Sequence, residues 1–184
     1  MNIRAKKWVL PKLDTRQLVL LAFLMALSLI LGRFGTVSTQ FIQVGFTFVA
    51  TSLIARWYGP IWAVLTASIL DVVKVMLMGG QYFIGFTVTA AAAALIYGWG
   101  YYRVDKISWL RVAITVALVT FIVNLGLNTI NLILMYQPVH SWSSFWAFIT
   151  PRFIKNLTVY PIQVLVSYFV LNNPVINRLT KDIF

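Results

Sequence analysis

Residues 17–35 read QLVLLAFLMALSLILGRFG and carry no charge before Arg33. A helix needs ~20 apolar residues to cross a hydrocarbon core ~30 Å thick, so this stretch is a membrane span. Working outward, comparable apolar runs follow at about 41–57, 60–78, 82–102, 109–136 and 145–171. The fold expected is an all-α membrane protein, a compact bundle of six transmembrane helices forming one integral membrane domain over residues 1–184. The connections are short, so no soluble ATPase fits beside the spans. Uphill transport would need an ion gradient or energy from a partner.

Composition agrees. The chain is 60% hydrophobic and 10% charged, with a mean hydropathy of +0.85, well above the apolar share of soluble domains. It has no Cys, which removes disulfides and thiolate chemistry. Asp14, Asp71, Asp105 and Asp182 are its only acids, so two-carboxylate catalysis is hard to assemble. No catalytic residue, metal site or cofactor is expected. The basic N-terminus leads into a full-length span rather than a signal peptide.

A net charge of +11 in a soluble protein would suggest nucleic acid. Here topology accounts for it, and no nucleic-acid partner is expected. With both termini cytoplasmic, Arg4, Lys6, Lys7, Lys12, Arg16, Arg56, Arg103, Lys106, Arg111, Arg178 and Lys181 fall on the inner side. That bias obeys the positive-inside rule. Arg33, Arg152 and Lys155 remain at outer helix ends.

Turn residues mark the joints. Tyr58-Gly59-Pro60 joins spans two and three, with Pro suited to a helix start. Met78 to Gln81 turns between spans three and four. Gln137-Pro138 ends span five, and His140 to Phe148 forms an aromatic connection into span six. No inverted repeat or pair of broken helices of the kind found in many ion-coupled carriers is evident.

Polar groups within a bilayer are costly and mark function. Asn124, Asn128 and Asn131 stand at i, i+4 and i+7 on span five, one helix face. Their amides offer donors and acceptors together, suited to a heteroaromatic edge; interhelical hydrogen bonding is the other use of such residues. Arg152, Lys155 and Asn156 open span six, with Gln163 deeper on a similar face. Breaking the positive-inside pattern points them to anion capture; snorkelling is the plain alternative. Asp71 and Lys74, three apart, are expected to pair. Trp142, Phe145, Trp146 and Phe148 read as an aromatic belt, and His140 as a loop residue.

The run Gly80-Gln81-Tyr82-Phe83-Ile84-Gly85-Phe86-Thr87-Val88-Thr89-Ala90, continuing to Leu95-Ile96-Tyr97-Gly98, resembles the fourth-helix signature of substrate-binding subunits of energy-coupling-factor (ECF) transporters, most closely the folate family. Thr15 to Val19, Ala22-x-x-x-Ala26, Gly32-Arg33-Phe34, Tyr58-Gly59-Pro60 and Asp71 fit the same pattern. Ile84 stands where many relatives have Pro. The likeness covers essentially the whole chain.

This resemblance implies a non-catalytic vitamin-binding subunit in the bacterial plasma membrane. It would bind its vitamin near the outer face, under a lid formed by the loop after helix one. Its partners would be a membrane scaffold subunit, meeting Ala22 and Ala26, and two cytoplasmic ATPases. Folate carries two carboxylates and a pterin ring. Arg33, Arg152 and Lys155 would hold the carboxylates, the Asn stripe and Asn156 the polar edge, and Phe34, Tyr82 or Trp142 the ring face. Pantothenate and biotin, also anions, are the second choices. An autonomous secondary carrier and a non-transporting scaffold belong to other classes, and transport by the purified chain alone would mark the carrier.

Overall fold

The computed structural model describes residues 12–38, 43–79, 81–104, 106–136, 142–181 and 183. Arg4, Lys6, Lys7, Gln137-Pro138, His140, the side chain of Phe148 and the middle of the loop after the first helix lie outside them.

The chain is helical apart from one small hairpin. Helix α1 (Thr15–Arg33) leads to β1 (Thr36–Ser38) and β2 (Gln43–Gly45), an antiparallel pair with Val37 opposite Val44. Then come α2 (Thr47–Met78) and α3 (Ile84–Tyr101). α4 (Trp109–Leu118), a π-helical segment (Val119–Leu127) and α5 (Asn128–Tyr136) form one continuous rod. α6 (Trp142–Leu171) and the short, strongly amphipathic α7 (Pro174–Lys181) complete the chain. Among the described residues, five helices are long and apolar enough to span a bilayer, counting α2 once and the rod once.

α2 is not one straight helix. Gly59 is non-helical at φ 84, ψ 177, so arms 47–58 and 60–78 flank the break. The expected Tyr58-Gly59-Pro60 turn is this break. Glycine tolerates the positive φ, and Pro60 begins the second arm without needing a backbone donor. The hairpin was not expected. It occupies 43–45, so the helix expected from about 41 begins at Thr47. The expected connection before span six is shorter too, because α6 starts at Trp142. α7 was also not expected: its polar composition hides it from a search for apolar runs.

The core runs through every long helix. Leu21 and Leu24 of α1 meet Leu53, Ile54 and Tyr58 of α2, Ala94, Tyr97 and Tyr101 of α3, Val112 to Val123 of the rod, and Val164 and Leu171 of α6. Large apolar side chains such as Phe23, Ile69, Trp99, Ile122 and Phe169 face outward, as lipid contact allows. The end near Gly59 is tied by polar bonds. Buried Arg56 donates to the Leu171 carbonyl and, at 3.5 Å, to that of Val104. Asn172 exchanges both of its amide bonds with the Ile107 backbone, at 2.9 and 3.3 Å.

α3 packs against the second arm of α2 at Gly98. A Cβ there would meet Pro60 Cα at 2.5 Å and Pro60 N at 2.9 Å. Backbone cannot yield as a side chain does. Gly98→Ala is therefore expected to cost about 1–3 kcal/mol through overpacking, read as a lowered Tm of the detergent-solubilised protein; an unchanged Tm would show that the two helices can part without cost.

Candidate binding site

Two stripes of polar residues face each other across a cavity of about 490 Å³. One is on the rod: Asn124 in the π-helical segment, then Asn128 and Leu132 on α5. The other is on α6: Arg152, Lys155, Asn156, Val159 and Gln163, at helical spacings of three and four that keep them on one face. Gly45 of β2 closes one side. A second cavity of about 260 Å³ adjoins it, sharing Gly45, Asn124 and Gln163. Ser28 of α1, Asp71 and Lys74 of α2 and Tyr97 of α3 line this inner space. The larger volume falls in the range of small-molecule sites, and the smaller lies just below it.

The larger cavity is electropositive. Arg152 and Lys155 are half-buried and project into it. No carboxylate lines it among the described residues. Four primary amides, Asn124, Asn128, Asn156 and Gln163, offer paired donors and acceptors on the facing walls. Like charges three residues apart on a helix repel, and an anion between them turns repulsion into charge-assisted hydrogen bonding. Arg supplies a planar fork that fits a carboxylate. Such a lining offers cationic groups and paired amide donors and acceptors to one shared space.

Residues 16–171 match the family model described as the substrate-specific component of ECF transporters. The chain belongs to that family. FolT of Leuconostoc mesenteroides, a curated folate transporter, is 56% identical over the full length of both chains. FolT of Streptococcus mutans is 32% identical over 88% of each chain. A crystal structure of FolT bound with folic acid superposes at a TM-score of 0.76 with 36% identity, covering 86% of this chain and 94% of that one. The ECF family consists of transporter subunits rather than enzymes, and its apolar helices make this member a multi-pass membrane protein.

The structure brings together six of the residues singled out from sequence: Asn124, Asn128, Arg152, Lys155, Asn156 and Gln163. The others lie elsewhere. Arg33 is exposed in the last turn of α1 and Phe34 is 81% exposed beyond it. Trp142 is exposed and stacks on Phe145 at 5.5 Å. Tyr82, half exposed before α3, shares a 3.1 Å hydrogen bond with Thr87 Oγ1.

Asn131 does not line either cavity. Its Nδ2 donates to Thr89 Oγ1 at 2.7 Å, tying α5 to α3. Three residues at ~100° each carry Asn131 about 60° around the helix from Asn128, while Leu132 stays within about 40° on the cavity side. The i+7 stripe therefore divides between two neighbours. Nor does the expected Asp71–Lys74 pair form among the described residues. The Asp71 carboxylate instead accepts a 2.7 Å hydrogen bond from Thr87. Both residues face the inner cavity, a position the local i, i+3 rule did not anticipate. Ser28 and Gly45 carried no sequence signal, since each arrives from a separate element, and Tyr97 stood out only as part of the run that ends at Gly98.

Because Asn131 bridges two helices, Asn131→Leu is expected to lower stability by about 0.6–1.7 kcal/mol, the range for hydrogen bonds between membrane helices. A double-mutant cycle with Thr89→Val, read by thermal unfolding, isolates the coupling; strict additivity would mean that the bond contributes nothing.

Proposed function

We propose that this chain is the folate-binding subunit of an ATP-driven ECF importer in the bacterial plasma membrane. The observation that carries the reading is the cavity walled by Arg152, Lys155 and amides, with no lining carboxylate among the described residues. The glutamate end of folate brings two carboxylates to those cations. Its pterin ring brings the donors and acceptors that Asn124, Asn128, Asn156 and Gln163 can match. The relatives named as folate transporters support the same choice. Folate is cargo here, and the reading calls for no cofactor. Arg33, Phe34, Tyr82 and Trp142 would join the site only by movement of the outer loops over the ligand.

In this reading the arms of α2 on either side of Gly59 count as separate spans. The rod, α1, α3 and α6 bring the total to six, with both termini cytoplasmic. Energy comes from a scaffold subunit and two ATPases. Ala22 and Ala26 lie one turn apart and are both exposed on α1. Such a small-residue face lets another helix approach closely.

Calorimetric titration of the purified subunit with folate, without ATP, should show tight binding. Tight pantothenate or biotin binding with none for folate would overturn the vitamin assignment. Arg152→Ala should weaken folate by roughly 30-fold or more, since removing one partner of a desolvated charge pair costs 2–5 kcal/mol. It should spare a pterin that lacks the glutamate tail; equal losses for both ligands would remove Arg152 from carboxylate recognition.

Ala22→Trp and Ala26→Trp should leave folate binding nearly intact while abolishing ATP-dependent uptake in proteoliposomes containing scaffold and ATPases. Normal uptake by both would show that this face is not the coupling surface.

A further inference from the structure

Asp71 is the one acid facing either cavity among the described residues, and it is held in a directed hydrogen-bond chain. Thr87 Oγ1 lies 2.7 Å from Asp71 Oδ2 and 3.1 Å from the Tyr82 hydroxyl. A carboxylate only accepts, so the Thr87 proton is committed to Asp71. The Tyr82 hydroxyl must then donate to Thr87. Two hydroxyls thus point in series at one carboxylate oxygen. They fix its rotamer. The other oxygen, Oδ1, has no hydrogen-bond partner among the described residues.

Charge is therefore divided along the site. Arg152 and Lys155 stand in the larger cavity, and the anchored carboxylate in the inner one beyond the shared Asn124 and Gln163. A purely anionic ligand has no use for that carboxylate. A ligand with an anionic end and, at the other end, a pair of adjacent N–H donors uses both. Resting on the folate reading above, we propose that Asp71 is a specificity-determining residue that accepts from the ring N–H and exocyclic amine of a 2-amino-4-oxo heterocycle, with Thr87 and Tyr82 as its positioning residues. Paired N–H donors facing a carboxylate form the charge-assisted, bidentate arrangement that discriminates most strongly against a ligand lacking one donor.

The test is calorimetric titration of the whole detergent-solubilised chain with folate and with its 2-desamino analogue, which lacks the exocyclic amine. The unaltered chain should prefer folate. Asp71→Asn should weaken folate on the order of 10- to 100-fold, as for loss of charged hydrogen bonds, and weaken the desamino analogue, which keeps only the ring N–H, by a clearly smaller factor. Tyr82→Phe and Thr87→Val should erode the same preference by a smaller factor, and Thr87→Ser should restore it. Tyr82 is half exposed, so its substitution reports even where an Asp71 variant fails to fold. A preference for folate that survives Asp71→Asn, Thr87→Val and Tyr82→Phe would overturn the assignment while leaving folate binding established. Equal weakening of both ligands would overturn it too, marking Asp71 as structural. An unaltered chain that binds neither ligand would overturn the folate reading itself and this inference with it.

Discussion

A bilayer offers the backbone no hydrogen-bonding partner, and the rest of this structure follows from that lack. Unpaired amides in hydrocarbon cost several kcal/mol each, so the chain stays helical wherever lipid surrounds it. Departures from helix occur where another donor or acceptor is at hand. The break in α2 falls at a Gly-Pro step, where one backbone donor is already missing. Around it, Arg56 and Asn172 supply side-chain bonds to carbonyls and amides that helix ends leave open. Thr51, Ser68, Thr115 and Thr158 return their hydroxyl protons to carbonyls one turn back, satisfying themselves within their own helices.

The binding site uses the same constraint in reverse. Arg152, Lys155, Asn124 and Asn128 are not absorbed by their own helices. They converge on a shared space, where a half-buried charge gives up part of its hydration and a group of opposite charge would offset that loss.

The helices were legible because each apolar run has to reach one bilayer thickness, and that length is read directly from residues such as 17–35. The α6 face was legible too, because Arg152, Lys155 and Asn156 interrupt an otherwise apolar run at helical spacing. What stayed hidden depends on contacts between elements. Asp71 and Thr87 are sixteen positions apart, so no local spacing rule predicts their bond. The hairpin rests on three-residue strands, too short to carry a pattern. The π-helical segment escapes because its i→i+5 bonds leave composition unchanged. The Asn stripe was drawn too wide for a different reason: Asn131 stands about 60° around α5 from Asn128, and the fold sends it to α3.

The bond between Asn131 and Thr89 has an evolutionary corollary. Thr89 cannot change to an apolar residue alone without stranding the Asn131 amide between helices, whereas the Thr89 hydroxyl keeps its own bond to the Gly85 carbonyl if Asn131 is lost. Substitution at 89 would have to be accompanied by one at 131, or pass through a small hydroxyl residue such as Ser. Gly85, whose Cα faces the Asn131 carboxamide, narrows the route further, since any larger residue there would collide with it. Positions 85, 89 and 131 should thus drift as a linked set across relatives, whereas Asn124 and Asn128, which border open space, stand outside that constraint.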